Sequence, residues 1–382
     1  MEKGLEKKFT ILHTEWSEGW GGQEIRILLE MKEHRKQGHR LYLLCPPRTK
    51  LAEEAAGAGI EVIPYKIRTS WDPGSIRKLK DLIRELKVEV LHTHSSVDSW
   101  AGGLAGRWAR VPVLVRTRHI SVRVRRPWLN RIYYLPDAII TTGEHIRREL
   151  LQTHKMPAER IVSIPTGADT GRFHPGPPDL ELKKRMGLPI DSPVITLVAV
   201  LRAQKRHELV IAAAADVIKV FPQARFLFVG DGPGRNRVER EIKNGQLEAQ
   251  ILMTGYREDI PAILSFADLG IISSVAEGIP QFLFQMMAMG KPVIATEVGG
   301  IPEIVTSGVN GLLIPPEDPA ALAKAMVQVL GDPESARRLG EAGRRLVEQE
   351  YTVGKMAEKV YRVYQKVYEG KQRNSPEKRG DQ

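Results

Sequence analysis

"LGIISSVAEGIPQFLFQMMAMGKPVIAT", residues 269–296, decides the fold. It opens on a strand-like run, LGIISS (269–274), and turns through Glu277. A helix from Pro280 follows, then a second strand-like run, KPVIATE (291–297). The helix is apolar nearly all round, with Phe282, Leu283, Phe284, Met286, Met287, Ala288 and Met289. Only Gln281 and Gln285 interrupt it, and their spacing of four puts both on one face. A strand, a buried helix and a second strand in that order make a βαβ unit, which implies a parallel sheet.

The same alternation extends in both directions. Downstream of Pro193 the strand-like runs are VITLVAVL, ARFLFVGDG, AQILMTGY, LGIISS, KPVIATE and GLLIPP. Upstream, FTILHT (9–14), RLYLLC (40–45), VEVLHTHS (88–95), VPVLVRT (111–117) and DAIITTG (137–143) form a second series. Ile25, Leu28, Leu29 and Met31 mark a helix between the first two, and a small-residue helix is predicted over about 99–110. Two such series predict two Rossmann-like α/β domains. The Pro- and Gly-rich stretch PTGADTGRFHPGPPD (165–179) is the natural linker. An amphipathic helix with Met356, Val360, Val363, Tyr364 and Val367 comes last, before a frayed tail.

The totals agree with this reading. At 382 residues the chain exceeds one ordinary core, and 42% hydrophobic with 27% charged residues is a globular composition. The net charge of +11 suits a phosphorylated substrate, an anionic membrane surface or nucleic acid. The lone Cys45 leaves no intrachain disulfide and no multi-cysteine metal site. No apolar run approaches the roughly 18 residues of a membrane span, and MEKGLEKK at the start is followed by no secretory apolar segment. The expectation is a cytoplasmic protein.

In parallel sheets, ligands bind beyond the carboxyl ends of the strands. The loops there are marked. LRAQKRH (201–207) places Arg202 and Lys205 just after a strand, GDGPGR (230–235) is a Gly-rich turn, and EVGGIPE (297–303) follows another strand. Cations beside helix N-termini would hold a diphosphate. Two solvated loop charges are the equally open alternative. Gly21 and Gly22, in GWGGQE (19–24), let a ligand approach the backbone, or simply form a tight turn. Neither a dinucleotide fingerprint nor a Walker sequence is present. No D-x-D occurs, against a transferase holding Mg²⁺ or Mn²⁺ with paired aspartates, and no zinc signature occurs. His92 and His94 have same-face spacing that could suit a metal, but a hydrogen-bonded structural pair is the better reading. His119 is, by spacing alone, an arginine-flanked loop histidine.

Residues 107–148 carry ten arginines (107, 110, 116, 118, 123, 125, 126, 131, 147 and 148) against Asp137 and Glu144. Arg123, Arg125, Arg126 and Trp128 lead a basic, aromatic-interleaved face. It suits anionic lipid headgroups, the phosphates of a lipid-linked acceptor or RNA, and a plain solvated face is the bland alternative.

VAVLRAQKRHELVIAAAA, FLFVGDGP and TGYREDIPAILSFADLGIISSVAEGIPQFLFQMMAMGKPVIATEVGGIPEIVTSGVNGLLIPPED occur in this order and resemble the donor domain of family 4 retaining, nucleotide-sugar-dependent glycosyltransferases. The resemblance is dense over about 193–320 and looser in the first half. It implies a GT-B fold, two facing Rossmann-like domains with a cleft between them. The division it implies is 1–168 on the acceptor side, braced by a returning helix at 353–371, a donor domain at 169–352, and a flexible tail at 372–382.

The same resemblance implies roles. Arg202, Lys205, Gly21 and Gly22 would hold the donor diphosphate. Glu277 matches the first glutamate of an E-x7-E signature, where it would meet donor-sugar hydroxyls and the anomeric carbon. Gly278, Ile279 and Pro280 would hold sugar and phosphate at the helix start, His119 would lie near the sugar, and Tyr256 and Arg257 would border the base. Position 285 departs from the signature: Gln285 stands where a second glutamate usually grips the ribose, and an amide accepts without charge. The implied reaction transfers a sugar with retention and without a metal. The charge of the arginine-rich first half, rather than a motif, points to a cell-envelope glycan or lipid-linked hydroxyl as acceptor, at the cytoplasmic face of the membrane. Rival readings are a nucleotide-sugar epimerase-like enzyme, a degenerate sugar-nucleotide-binding protein and a nucleic-acid binder. Of these, nucleic-acid binding leaves the loop motifs unexplained.

Overall fold

The computed structural model describes residues 7–119, 132–154 and 156–373. Two compact units divide the chain, one formed by residues 1–166 with 353–382, the other by residues 167–352.

In chain order the first unit contains β1 (Thr10–Thr14), α1 (Gly22–Lys36), β2 (Arg40–Cys45), α2 (Lys50–Gly57), β3 (Glu61–Pro64), α3 (Pro73–Glu85), β4 (Val90–Thr93), α4 (Ser96–Ala109), β5 (Val113–Arg118), β6 (Ala138–Thr141), α5 (Glu144–His154) and β7 (Ile161–Ser163). The second holds α6 (Leu180–Arg185), β8 (Val194–Val198), α7 (His207–Val220), β9 (Arg225–Val229), α8 (Arg235–Asn244), β10 (Ile251–Gly255), α9 (Ile260–Ser265), β11 (Leu269–Ile272), α10 (Gln281–Ala288), β12 (Val293–Thr296), β13 (Leu312–Ile314), α11 (Pro319–Gly331) and α12 (Pro333–Glu350). The last helix, α13 (Val353–Arg373), belongs to the first unit.

Each unit is built on a parallel sheet. The first has seven strands in the order β3-β2-β1-β4-β5-β6-β7, and the second has six in the order β10-β9-β8-β11-β12-β13. In both, the order reverses beside the first strand of the unit, which places a switch point at the β1/β4 and β8/β11 edges. This is the GT-B architecture of two Rossmann-like domains.

Strands in such sheets are covered on both faces, so they read as continuous apolar runs. Leu269, Ile271, Val293 and Ile294 are fully buried. Turn chemistry starts the helices. Asp72, Asp318 and Asp332 each accept a backbone N–H of the following first turn, and each precedes a proline that fits the first helical position. The sequence reading did not include β3 and β7. Both are short edge strands, and β3 ends in Pro64, a residue that argues against a central strand.

The helix 281–288 begins one residue later than predicted, with Pro280 as its N-cap. Leu283, Phe284, Met286 and Met287 are buried against Ile272, Val293 and Ala295. Gln281 and Gln285 sit on its half-buried face. The stretch 165–179 is more than a linker: Ala168 N donates to Tyr351 O at 2.7 Å, and Phe173 is buried in the core of the second unit. Helix α13 packs on α1, and its Tyr361 Oη donates to Lys7 O, ahead of β1, at 2.9 Å. It runs to Arg373, past the predicted end at 371, and residues 374–382 of the expected tail lie outside the described residues.

Candidate active site

In the second unit the marked loops meet at the carboxyl edge of the sheet. Strand β8 ends at Val198, and its loop passes Arg202 into a short 3-10 turn, Ala203–Lys205. Strand β11 ends at Ile272 and leads through Ser273 and Ser274 to Glu277. The two loops are stitched together. Val275 N donates to Gln204 O at 2.9 Å, and Ser273 Oγ donates to Lys205 O at 2.7 Å. Lys205 Nζ bonds Glu277 Oε1, and Ser274 Oγ donates to the same oxygen at 2.6 Å. A small recess is lined by Lys205, Ser274, Glu277, Pro280 and Phe282.

Of the two cations that could have been solvated loop charges, Lys205 is therefore half-buried and paired, whereas Arg202 is exposed. Gly278 and Ile279 are half-buried between Glu277 and the N-terminus of α10. Tyr256 stands 59% exposed after β10, and Arg257 is engaged by Asp259 through two hydrogen bonds, at 2.8 and 2.5 Å.

The sequence reading missed what fixes Glu277. The loop after β12 presses on it: Gly300 N donates to Gly278 O at 2.9 Å, and a Cβ on Gly299 would sit 1.9 Å from Glu277 O. Gly299 also has φ +55°, so glycine answers both a close approach and a left-handed backbone. The signal was present as the GG pair of EVGGIPE.

The first unit contributes a separate group. Gly21 is the N-cap of α1 and its N–H donates to Glu24 Oε2 at 2.9 Å, while a Cβ on Gly22 would meet nothing within 4 Å. His119 follows β5 and is half-buried. Its Nε2 lies 3.2 Å from Nδ1 of His94, whose Nε2 lies 3.0 Å from Nδ1 of His13. His92 bonds Thr117 Oγ1 through Nε2 at 2.7 Å and Tyr364 Oη through Nδ1 at 2.6 Å. His92 and His94 are thus hydrogen-bonded, but to other partners than each other. Nitrogens of His13, His92 and His94 come within 4.8 Å of one another, with these protein hydrogen bonds already in place.

Beneath this lies a charged layer that the sequence did not announce. Arg26, Glu30 and His34, spaced by four on α1, are fully buried. Burial pushes the Glu30 carboxyl up, but His92, by charge and hydrogen bond, outweighs it with help from His13 and His34, so the group stays well below the usual carboxylate range. Burial holds His13, His94 and His119 well below an ordinary histidine. Asp98 Oδ2 accepts Thr14 Oγ1 at 2.8 Å and His94 N at 2.9 Å. Glu15 accepts the N–H groups of Trp16 and Ser17, both at 2.7 Å, and so orders the loop leading to Gly21. Burial, then the Asp98 charge, raises the Glu15 carboxyl to about 8.

The basic face needs correction. Arg116 and Arg118 lie on β5, 3% and 7% exposed, with their guanidinium groups 4.8 and 5.2 Å from the Tyr133 ring. Alternation along a strand buried on both faces carries them inward, so they add nothing to a surface patch. Arg107 is paired with Asp137 at 2.8 Å, and Arg147 with Glu144 at 2.8 Å. The leading candidates, Arg123, Arg125, Arg126 and Trp128, lie outside the described residues.

The family model described as Glycosyl transferases group 1 matches residues 179–346, and that described as Glycosyltransferase Family 4 matches residues 20–172. EpsD of Bacillus subtilis (strain 168) is 30% identical over 324 residues, which are 79% of this chain and 84% of EpsD. The UDP-Gal:alpha-D-GlcNAc-diphosphoundecaprenol alpha-1,3-galactosyltransferase of Escherichia coli is 26% identical over 86% of this chain and 90% of its own. Among solved structures, Anabaena Alr3699/HepE in complex with UDP shares the fold at a TM-score of 0.84 and 21% identity, covering 94% of this chain and 100% of that one. With a family model matched in each half and EpsD 30% identical over most of both chains, the chain belongs to the family 4 glycosyltransferases.

Proposed function

We propose that the protein is a retaining, metal-independent glycosyltransferase that moves a sugar from a nucleoside diphosphate to a hydroxyl of a cell-envelope glycan or lipid-linked acceptor. The observation that carries this reading is the Lys205–Glu277 pair at the carboxyl edge of the second sheet. An anion-binding cation and a hydroxyl-binding carboxylate share one spot, which is what a sugar joined to a diphosphate requires. HepE, which shares the fold, is in complex with UDP, and this supports a nucleotide donor here.

In the proposed reaction Arg202 and Lys205 face the donor diphosphate. As the bond from the anomeric carbon to the phosphate oxygen breaks, negative charge grows on the leaving diphosphate. The two cations stabilise it where it develops, the role a divalent metal plays elsewhere. Glu277 stabilises the positive character left at the anomeric carbon, and its fixed position costs no reorganisation at that moment. The acceptor hydroxyl attacks from the face the diphosphate leaves, so configuration is retained, and its proton passes to the departing phosphate oxygen. Gln285 meets the ribose with a neutral amide, and Tyr256 and Arg257 flank the base.

The E. coli galactosyltransferase is named for a diphosphoundecaprenol acceptor, which supports a lipid-linked substrate here. No described helix is long and apolar enough to cross a membrane. Incubation with a panel of UDP- and GDP-sugars and a lipid-linked sugar, in EDTA, tests the reading by NMR of the product. Retained anomeric configuration is expected. Inverted product, or full loss of rate on chelation, overturns it. Nucleotide binding with no transfer and no donor loss would favour a degenerate binding protein, and donor conversion without acceptor an epimerase-like enzyme.

A further inference from the structure

His119 ends a chain of three imidazoles. Its Nε2 meets His94 Nδ1 at 3.2 Å, and His94 Nε2 meets His13 Nδ1 at 3.0 Å. All three rings are held neutral, chiefly by burial. A neutral imidazole carries one N–H and one lone pair. His94 can therefore donate to only one of its two neighbours and must accept from the other. The chain has just two proton arrangements, with every N–H directed toward His13 or every N–H directed toward His119. The nitrogen of His119 outside the chain, Nδ1, is an acceptor in the first and a donor in the second.

The buried end decides between them. His13 Nε2, Glu30 Oε2 and His34 Nδ1 are fully buried atoms with no hydrogen-bond partner among the described residues. One ligand-capable atom from each of these three side chains lies within 4.8 Å of the others. The other polar atoms of Glu30 and His34 are committed, Glu30 Oε1 to His92 and Tyr364, both at 3.2 Å, and His34 Nε2 to Ala357 O at 3.0 Å, while Arg26 Nε and Nη2 in the same layer also lack a partner among the described residues. A carboxylate in a desolvated layer attracts an N–H and repels a lone pair far more strongly than in water. The charged and titratable groups around the chain include Arg26, Glu30 and His34 on α1, His92 on β4, Asp98 on α4, whose carboxylate accepts His94 N, Arg116 on β5 and Tyr364 on α13. Arg26 is the counterweight, since facing it would turn His13 Nε2 into an acceptor and reverse the chain.

We infer that Glu30, through His13 and His94, fixes His119 as its Nε2–H tautomer and leaves Nδ1 as a lone pair that accepts a substrate hydroxyl. His13, His94 and Glu30 are positioning residues in this account, and His119 alone is placed against substrate. The tautomer follows from the first unit by itself, while the hydroxyl as its partner rests on the glycosyltransferase reading above. A donor at Nδ1 would suit a phosphate oxygen, whereas an acceptor there selects a sugar or acceptor hydroxyl.

The test is long-range proton–nitrogen NMR of the full chain labelled with ¹⁵N-histidine, with His119 assigned through His119→Gln. His119 is expected to carry its proton on Nε2 near pH 7. His94→Gln and Glu30→Gln should each abolish that preference, giving a mixture or the Nδ1–H form. Should Glu30→Gln fail to fold, His94→Gln and the native chain still decide. A native His119 protonated on Nδ1 overturns the inference, as does an Nε2–H form that both folded variants leave unchanged. Thermal stabilisation by nucleoside diphosphates, measured on the same samples, reads the donor site independently. A normal shift with the wrong tautomer refutes this inference alone, and a right tautomer with no shift refutes the donor reading instead.

Discussion

Lys205 and Glu277, 72 residues apart, bond each other at the carboxyl edge of one sheet, and Ser274 Oγ donates to the same Glu277 oxygen at 2.6 Å. The pair is mostly shielded, with side chains 19% and 10% exposed, so it cannot be read as a surface ion pair of no consequence. Donor binding must either share Lys205 between carboxylate and phosphate or move it. Glu277→Gln keeps the shape and removes the charge. It should leave nucleoside diphosphate binding within about twofold and lower kcat by roughly 10²–10³-fold, as loss of a preorganised electrostatic group does. Lys205→Ala should weaken the nucleotide as well. Isothermal titration beside steady-state rates separates the two.

Gly299 has φ +55°, and a Cβ there would sit 1.9 Å from Glu277 O. Gly299→Ala should cost about 1–3 kcal/mol of stability from backbone strain and push the Glu277 loop out of place. The expected result is a lowered melting temperature together with lost turnover. A variant as stable and as active as the native chain would show that this contact does not position Glu277.

Gln285 is half-buried on the face of α10 that also carries Gln281. If it meets the ribose, Gln285→Glu exchanges a neutral acceptor for a charged one and should tighten nucleotide binding by about 1 kcal/mol, roughly fivefold. Titration of the variant with the preferred nucleoside diphosphate reads this directly, and unchanged affinity removes Gln285 from the ribose.

Stability should depend on pH in two windows. Burial lowers His39 and His207 to about 4, and lowers His13, His34 and His94 as well. Between these values and the ordinary 6.5 the unfolded chain binds more protons, so stability rises with pH there and is lost as pH falls through the window. Glu15, raised to about 8, acts in the opposite sense: from roughly 4.5 to 8 the folded chain keeps a proton that the unfolded chain has released, so this carboxyl costs stability as pH rises. Urea midpoints at pH 5, 6, 7 and 8 should therefore show a steep acid limb, flatter in His207→Gln. The gentle alkaline decline should be absent in Glu15→Gln.

Much of this was legible from residues alone. β-branched runs at regular spacing gave both sheets, and the turn before Pro280 gave Glu277 its place. The buried layer of the first unit was not. Of the apolar positions that marked α1, Leu28 and Met31 are buried and Ile25 and Leu29 half-buried, while Arg26, Glu30 and His34 are fully buried. A charged stripe at spacing four normally faces water. Here Tyr364 and His92 cover it, and these come from α13 and β4, 334 and 62 positions from Glu30, beyond the reach of local periodicity. Arg116 and Arg118 misled for the same reason, since a basic run hides which of its members a buried strand turns inward.

The most direct test of the account is thermal stability against UDP, GDP, ADP, CMP and dTDP, each in EDTA, with Arg202→Ala alongside. Ligand at about 100 times its dissociation constant adds about 2.7 kcal/mol, a shift of a few degrees for a chain of this size. The account predicts a shift for one nucleoside diphosphate, unaffected by chelation and reduced in Arg202→Ala. No shift for any of the five would contradict it.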